Sequence, residues 1–216
     1  MIDDTASKPE GVASAYELAM FPLGSTIFPG QVVPLHIFED RYRTLISQLT
    51  TGNVEATFGI VLIDRGHEVG GDDHRVSVAT RVEILQAEEF DDGRWGVVTA
   101  GLERLDILGW LDDDPYPRAM VLPRAVVDNG GASLDDLEGL LVETIDLAAK
   151  AASVDVPGPF DFNADPHQRL DQLSALAPLT AFDRQRILEA ATTADQIAIL
   201  QDALREKAML LRSELR

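Results

Sequence analysis

The amino-acid sequence predicts an α+β protein: a β-rich lobe with one inserted helix, followed by a C-terminal helical lobe. Three observations lead to this fold class. Short runs rich in β-branched residues fill the chain up to residue 127, and helical periodicity replaces them from residue 133. A polar, glycine-containing segment, residues 128–132, separates the two patterns and is predicted to be a hinge. The polar, acidic N-terminus, residues 1–15, is predicted to be a flexible tail, which leaves residues 16–127 for the β-rich lobe and residues 133–216 for the helical lobe.

Six strands are predicted in the β-rich lobe, because short apolar runs are separated by tight turns such as Asp91-Asp92-Gly93. Such a series favours an antiparallel sheet or a partly closed barrel. The inserted helix is predicted to begin near Phe38, where apolar residues recur at helical spacing, and to end near Gly52. The six predicted strands are residues 16–23, 57–64, 74–90, 94–103, 104–111 and 116–127.

Four helices are predicted in the helical lobe, each from a capping signal at its N-terminus. Ser133 opens the first, and Asp165-Pro166 opens the second with proline at the first helical position. Thr180 and Thr193 open the third and fourth. The last helix carries a long apolar stripe that suits either core packing or a contact between two copies, so we expect a monomer or a weak dimer.

The net charge of -19 at pH 7 disfavours nucleic acid and anionic membranes as partners. Nucleic acid and anionic membranes are bound mainly through Lys and Arg, and this chain has 18 of these against 37 Asp and Glu. We therefore expect neither nucleic acid nor membrane as a partner. No apolar run approaches the ~18 residues that span a bilayer, and the N-terminus lacks the regions of a secretory signal. The absence of cysteine fits a reducing compartment, and a cytoplasmic location is expected.

The common catalytic and cofactor motifs are missing from the sequence. Neither a Gly-Lys phosphate-binding loop nor the G-x-G-x-x-G and G-x-S-x-G patterns occur. His67 and His74 lie among carboxylates in a glycine-rich loop without a standard ligand spacing. We interpret this loop, residues 64–74, as a solvated connection, with weak calcium binding as the alternative. The sequence thus predicts no cofactor, no metal site, no catalytic residue and no enzyme activity.

One stretch, residues 21–43, concentrates unusual chemistry: three prolines, two glycines, a histidine and a Glu-Asp-Arg-Tyr-Arg run. Its prolines restrict φ and remove backbone donors, and Gly30 permits a turn that other residues resist. We interpret the stretch as a crossover from a strand into the inserted helix. The residues of the crossover that are expected to reach the core are Phe28, Leu35, Ile37 and Phe38.

His36 lies in this crossover between two apolar residues, and two interpretations stay open. It is either a structural imidazole that hydrogen-bonds a backbone group or an acid–base group, and the lack of an accompanying nucleophile motif favours the first. Glu39 and Asp40 are expected in the first helical turn, where the helix dipole favours negative charge. Arg41 is expected to lie off the apolar face that carries Tyr42.

Three aromatic residues, Trp95, Trp110 and Tyr116, form the candidate binding surface. Trp110 and Tyr116 flank a turn and are expected to be partly accessible, although core packing is the more frequent role of such side chains. A contiguous exposed apolar patch would indicate protein recognition, whereas an enclosed pocket would indicate a small ligand.

Motifs in the crossover resemble the N-terminal signature of the Lon protease N-terminal domain, also called the Lon substrate-binding domain. The resemblance rests on Phe28-Pro29-Gly30, on Pro34-Leu35-His36-Ile37-Phe38-Glu39 and on Arg41-Tyr42-Arg43. Gly101-Leu102-Glu103-Arg104-Leu105, Tyr116-Pro117-Arg118-Ala119 and residues 183–189 resemble later elements of the family and follow in its order. The resemblance covers the chain from about residue 16 to its end.

The resemblance implies a PUA-like, six-stranded β-rich lobe followed by helices, in agreement with the residue pattern. A full Lon protease carries an ATPase module and a Ser-Lys protease module, and this chain has the signature of neither. We therefore expect a stand-alone, non-catalytic module that binds unfolded or partner polypeptide without ATP. The signature residues expected to act structurally are Phe28, Pro29, Gly30, Pro34, Leu35, His36, Phe38, Glu39, Arg41 and Tyr42.

Two other functions stay open at this point. One is a small-molecule-binding regulatory domain with a pocket lined by Trp95, Trp110 or Tyr116. The other is a degenerate hydrolase that would depend on His36 and scattered carboxylates. A polypeptide would instead be bound by exposed apolar surface, including the region between the β-rich lobe and the helices.

Overall fold

The fold is α+β, as the sequence predicts, with six strands and five helices in the described part of the chain. The computed structural model describes residues 14–52, 55–65, 74–130, 133–156 and 158–215. The strands are β1 Tyr16–Leu23, β2 Val32–Ile37, β3 Thr57–Arg65, β4 His74–Glu89, β5 Trp95–Leu111 and β6 Arg118–Pro123. The helices are α1 Asp40–Thr51, α2 Leu134–Ala152, α3 Pro166–Leu176, α4 Ala181–Glu189 and α5 Thr193–Glu214.

The six strands form one sheet in the order β2-β5-β4-β3-β1-β6. Because β6 also pairs with β5, the sheet curls back on itself and is partly ring-like. The long β5 makes this possible, since its first half pairs with β2 and its second half with β6. The pairing of β1 with β3 is parallel, so the sheet is mixed and not wholly antiparallel as the turn pattern suggested.

Two predictions about individual strands were wrong, although the number of strands was correct. The strand β2 lies inside the predicted crossover, with Pro34 at its centre. Proline is tolerated there because β2 is the edge strand of the sheet and its outward side needs no donor. The predicted break near Gly101 does not exist, and β5 runs continuously through this residue. Gly101 is required instead for a close approach, because a Cβ at that position would press on the carbonyl group of Phe28.

The helix α1 begins later than the helical stripe suggested. Its N-cap is Glu39, and the buried stripe consists of Tyr42, Leu45 and Ile46. Phe38 lies before the cap, with 53% of its surface exposed, so the expectation that it reaches the core was wrong. Glu39 likewise precedes the first turn, and its side chain forms an ion pair with Arg41 at 3.1 Å.

The capping signals of the C-terminal helices are confirmed with one shift. Ser133 accepts a hydrogen bond from the N–H of Asp135, and Asp165 accepts two from the start of α3. Thr180 caps α4, but the cap of α5 is Thr192 and not Thr193. The apolar stripe of α5 packs in the core with α2, α3 and α4, through residues Ile197, Leu200, Leu204, Ala208 and Leu211.

Three apolar clusters hold these elements together. One lies between α1 and the inner face of β2, β4 and β5, and a second fills the opposite end of the sheet. The third is the core of the C-terminal helices, and it includes two residues from the N-terminal half, Phe28 and Val78. Phe28 is fully buried, so the helices are built around a side chain of the crossover that the sequence placed in the core.

Residues 128 and 129, which precede α2, are hydrogen-bonded to the start of α5. Thr193 donates a hydrogen bond to Asp128 at 3.1 Å, and the N–H of Ala194 donates to the side chain of Asn129 at 3.1 Å. Residues 131–132 of the predicted hinge, residues 1–13 of the predicted tail and most of the predicted loop at 64–74 lie outside the described residues. The division into tail, two lobes and hinge stays a prediction. Among the described helices, none combines the length and hydropathy needed to cross a bilayer.

Candidate functional site

An open cleft of about 820 Å³ lies between the sheet and the C-terminal helices. One wall is the segment Pro29–Val32 with Leu102 of β5. The other wall is the loop before α3 together with one face of that helix. The residues of this second wall are Asp161, Phe162, Asn163, Gln168, Asp171, Gln172, Ala175 and Leu176. We call this feature the interlobe cleft.

The first wall is anchored to β5 by backbone hydrogen bonds. Gly30 donates to the carbonyl of Gly101 at 2.8 Å, and Gly101 donates to the carbonyl of Gln31 at 2.9 Å. Gly30 has a φ of 75°, a conformation that side chains of L-residues resist, which confirms the predicted turn. The signature glycine of the crossover therefore shapes one wall of the interlobe cleft.

The second wall is anchored to α3 by side-chain amides. Gln172 accepts a hydrogen bond from the N–H of Asn163 at 2.9 Å and donates to the carbonyl of Asp161 at 2.9 Å. Asn163 also donates to the side chain of Gln168 at 2.8 Å. Phe162 packs against the helical core. The end of the long loop before α3 is thus fixed against the helix.

A buried ion pair joins the two walls. The Arg104 guanidinium on β5 donates to both carboxylate oxygens of Asp171 on α3, with Nη1 at 3.2 Å from Oδ2. Each residue is only 8% exposed. Burial raises the pKa of the Asp171 carboxyl, while the charge and hydrogen bonds of Arg104 act in the opposite direction. The pair fixes the position of α3 relative to the sheet, because moving the two groups apart would leave an uncompensated charge in a buried site.

A second polar connection lies on the other side of the cleft and involves two neighbouring residues of α4. Arg184 donates to the carbonyl of Thr26 at 3.0 Å, to the side chain of Gln31 at 3.1 Å and to the carbonyl of Ala175 at 2.7 Å. Gln185 donates to the carbonyl of Val78 at 3.0 Å. Burial lowers the pKa of the Arg184 guanidinium.

The crossover signature and the helical signature therefore touch each other in the folded chain. The Arg184 guanidinium of the second lies 5.2 Å from the ring of Phe28 in the first, and it donates to Thr26 and Gln31, which lie in the crossover outside its signature motifs. The sequence analysis recognised both motifs but assigned no contact between them. Arg104, Asp171 and Arg184 were missed as positioning residues. For Arg104 the available signal was a charged residue within the mostly apolar β5 pattern, whereas α3 and α4 carry several polar residues and give no such signal for Asp171 and Arg184.

The outer face of the sheet carries a shallow apolar surface. On β2, Val32, Pro34 and His36 point outward, since they alternate with the inward-facing Leu35 and Ile37. The register sets three rows across β4, β5 and β2. The rows are Glu83–Ala100–Val32, Gln86–Val98–Pro34 and Glu88–Gly96–His36. We call the line of small residues Gly96, Val98 and Ala100, with its two flanking ridges, the outer trough.

His36 occupies a different place from the one expected. It lies on β2 and is exposed, with its ring 6.5 Å from that of Phe38 and 6.1 Å from that of Phe90. Within the described residues, no hydrogen bond to its imidazole is present, so the expected bond to a backbone group is not found there. His36, Phe38 and Phe90 form an exposed aromatic group at one end of the outer trough.

The other signature residues divide between core and surface. Phe28, Leu35 and Tyr42 are buried, and the Tyr42 ring lies 4.5 Å from that of Phe21. Arg41 lies off the buried face, and its guanidinium is 4.6 Å from the Tyr42 ring. Pro29 lines the cleft wall.

The structure separates Trp110 from the other two candidate aromatic residues, since Trp95 and Tyr116 both pack against the cluster beside α1. Trp95 and Trp110 lie at opposite ends of β5, with Trp95 packed against the core beside α1. Trp110 is partly exposed beneath the guanidinium of Arg75, which lies 4.4 Å from its ring. Tyr116 donates a hydrogen bond to Gln48 at 2.6 Å, and partial burial raises its pKa. Their role as a binding surface stays a prediction.

No group of three or more potential metal ligands occurs among the residues that the structure describes. Residues 66–73, which include His67, lie outside them. Two of the described features adjoin each other: the open cleft with mixed polar and apolar walls, and the outer trough that begins beside it.

A partly ring-like sheet joined across an open cleft to a helical segment defines an α+β domain. The model of one protein family, the ATP-dependent protease La (LON) substrate-binding domain, matches residues 17–206. The chain belongs to this family. It is 25% identical over 202 residues to a Lon protease of Heliobacterium modesticaldum, covering 92% of this chain and 25% of the relative. It is 24% identical over 179 residues to a Lon protease of Dictyoglomus thermophilum, covering 80% and 22%.

The chain thus spans about a quarter of the length of these curated relatives. Among solved structures, the crystal structure of a Lon N-terminal domain protein from Xanthomonas campestris matches with a TM-score of 0.59. The two share 18% sequence identity, and the match covers 87% of this chain and 98% of the other. This likeness shows that the fold is that of a Lon N-terminal domain.

Proposed function

We propose that this chain is a non-catalytic, ATP-independent module that binds segments of unfolded or partner polypeptide in the interlobe cleft. The observation that carries the proposal is the cleft itself, an open channel of about 820 Å³ with polar and apolar groups on both walls. Membership in a family of substrate-binding domains supports it.

The walls of the cleft suit a polypeptide of varied sequence. Val32 and Leu176 offer exposed apolar surface, which can bury side chains without directional requirements. The side-chain oxygens of Gln31 and Gln168 are engaged within the protein, but their NH₂ groups have no partner among the described residues. Such amides can donate to the backbone carbonyls that every peptide carries. We therefore expect broad recognition in place of a strict sequence motif.

The charges of the cleft favour binding without a nucleotide. Asp161 and Asp171 line it, and the other lining residues are uncharged. A triphosphate would meet a negative potential there, whereas an uncharged or basic segment would not. The carboxylate of Asp171 is paired with Arg104, so Asp171 acts to position α3 against the sheet. These observations support a cleft that binds without hydrolysing ATP or peptide.

The test is a fluorescence anisotropy titration with labelled casein as the unfolded polypeptide. We expect binding at micromolar concentrations, unchanged by ATP and without cleavage of casein. Leu176→Glu should weaken binding at least about tenfold, because it places a charge in the apolar wall of the cleft. Leu210→Glu on α5 is the matched control, since Leu210 is also an exposed helical leucine. The proposal is contradicted if the wild-type chain does not bind casein, or if Leu176→Glu and Leu210→Glu lower the affinity for casein equally.

A second candidate function rests on a separate cavity. An apolar cavity of about 600 Å³ lies between α2 and the loop before α3, where the rings of Phe160 and Phe162 stack at 6.2 Å. Cavities of this size hold drug-sized apolar molecules. The aromatic residues lining it differ from the Trp95, Trp110 and Tyr116 that the sequence suggested. A thermal-shift screen with apolar metabolites tests this function, and a Phe160→Ser variant that responds like wild type would contradict it.

A further inference from the structure

We propose that the outer trough binds an extended polypeptide segment in which apolar side chains are accompanied by Lys or Arg. The proposal rests on the proposed function, because it adds a second binding surface to the same polypeptide. It concerns the line of Gly96, Val98 and Ala100 and the two strands that border it.

The trough has the dimensions of an extended chain. Its two ridges, β2 and β4, are separated by one intervening strand, which places them ~9.6 Å apart. Along β5, the six steps from Gly96 to Leu102 correspond to ~20 Å, which an extended segment of about six residues spans.

The β4 ridge of the trough is polar, through Glu83, Gln86 and Glu88, but exposed apolar side chains lie on the β2 ridge, at the β4 bulge and at one end. Exposed fractions reach 58% for Val32 and 54% for Leu85, the residue at a bulge in β4. Phe38 and Phe90 close one end, with the Phe90 ring lying over Gly96. Exposed apolar side chains grouped on one face of a sheet are typical of sites of protein recognition.

The negative charge of the trough favours a peptide that carries Lys or Arg. Glu83 and Glu88 stand on the β4 ridge, and within the described part of the chain neither forms an ion pair. Arg94, at the nearby turn, is already paired with Asp92 at 2.7 Å. The net charge of the whole chain is -19. A segment that carries Lys or Arg beside its apolar residues complements this field, whereas an acidic segment is repelled.

The trough is continuous with the interlobe cleft. Val32 belongs to the ridge of the trough and also lines the cleft, and Leu102 lies two residues beyond Ala100 on β5. A polypeptide held in the cleft can therefore continue along the trough without leaving the protein surface. Two adjoining sites on one chain raise the overall affinity, because the second contact becomes intramolecular.

The experiment compares two labelled twelve-residue peptides by anisotropy at low salt. Both contain the same Phe and Leu residues, and the positions between them are Lys in one peptide and Glu in the other. We expect the Lys peptide to bind at least about fivefold more tightly, and its advantage to shrink as salt is added. The Glu83→Gln/Glu88→Gln variant should reduce the affinity for the Lys peptide about three- to fivefold.

Asp112→Asn/Asp113→Asn is the matched control, since it removes two exposed carboxylates at the other end of β5. It should leave the affinity for the Lys peptide within about 1.5-fold of wild type, because these carboxylates follow the far end of β5 and are remote from Gly96, Val98 and Ala100. Equal binding of the two peptides, or equal losses in the two double variants, overturns the proposal. If casein still binds in those cases, the proposed function stands; if neither casein nor the peptides bind, both are overturned.

Discussion

The joint between the sheet and the C-terminal helices contrasts with the outer face of the same sheet. The joint is buried and is held by polar side chains, while the outer face is exposed and apolar. The polar residues of the joint are Arg104, Asp171, Arg184 and Gln185. The apolar residues of the outer face are Val32, Phe38, Leu85 and Phe90. At the joint, buried polar groups thus accompany the apolar contacts of Phe28 and Val78, and on the outer face exposed apolar groups stand beside the polar side chains of β4.

The contrast follows from the different geometry of polar and apolar contacts. Hydrogen bonds and ion pairs are directional, so a polar joint fixes α3 and α4 at defined positions against the sheet. Apolar contacts lack direction, so an apolar outer face accepts many side-chain arrangements. The joint therefore fixes α3 and α4 beside the interlobe cleft, and the binding that we propose for the outer face needs no such fixed geometry.

The largest expected effect comes from breaking the ion pair of the joint. Arg104→Met leaves the Asp171 carboxylate buried without its cation, and we expect the free energy of unfolding at pH 7 to fall by about 3 kcal/mol. Burial already raises the pKa of Asp171, and the variant raises it further. Because the folded pKa of Asp171 is raised, ionisation of this carboxyl destabilises the folded state. This destabilisation is absent below the unfolded pKa of about 3.9 and grows as the pH rises above it. The deficit should therefore shrink as the pH is lowered towards about 4.

Chemical denaturation at several pH values measures this effect. Arg104→Met/Asp171→Leu should recover most of the lost stability at pH 7, because it removes the unpaired charge. Arg118→Met is the exposed counterpart, since Arg118 pairs with Glu17 at 2.8 Å near the surface, and it should cost less than about 1 kcal/mol. Similar losses for Arg104→Met and Arg118→Met would contradict the distinction between a buried joint and an exposed surface.

An intermediate effect is expected at the second connection of the joint. Arg184→Met removes the donor to the carbonyls of Thr26 and Ala175 and should lower the free energy of unfolding by about 2 kcal/mol. Arg184→Lys should restore little of this loss, because an ammonium group cannot reach both carbonyls with the planar geometry of a guanidinium. Urea denaturation of the two variants provides the measurement, and full rescue by lysine would contradict the geometric role.

Local signals in the sequence were sufficient for most of the fold. The bounds of β1 were predicted to the residue, and the caps of α2, α3 and α4 follow from local hydrogen-bonding preferences. β2 was missed because Pro34 disfavours a strand everywhere except at an edge, and edge position is a property of the whole sheet. Phe38 was misplaced because its spacing matches the α1 stripe although the helix begins two residues later.

The candidate site could not be predicted in the same way, since it depends on contacts between distant residues. The Arg104–Asp171 pair joins positions 67 residues apart, and the bond from Arg184 to Thr26 joins positions 158 residues apart. No local pattern specifies such pairs. The outer trough requires the register of β2 on β5 and of β5 on β4, which determines which three residues share a row. Recognition of the crossover signature identified the domain but not these surfaces.

The smallest effect on stability is expected on the outer face, and it tests the contrast most directly. Phe38→Ser should change the free energy of unfolding by less than about 0.5 kcal/mol, because the ring is already largely in solvent. The same substitution should weaken casein binding, since the ring stands at the end of the outer trough. Phe182→Ser is the matched control, because Phe182 on α4 is 64% exposed and lies away from both the cleft and the trough. Thermal denaturation and anisotropy separate the two properties. A loss of more than about 1 kcal/mol in Phe38→Ser would place the ring in the core and remove the contrast between joint and outer face.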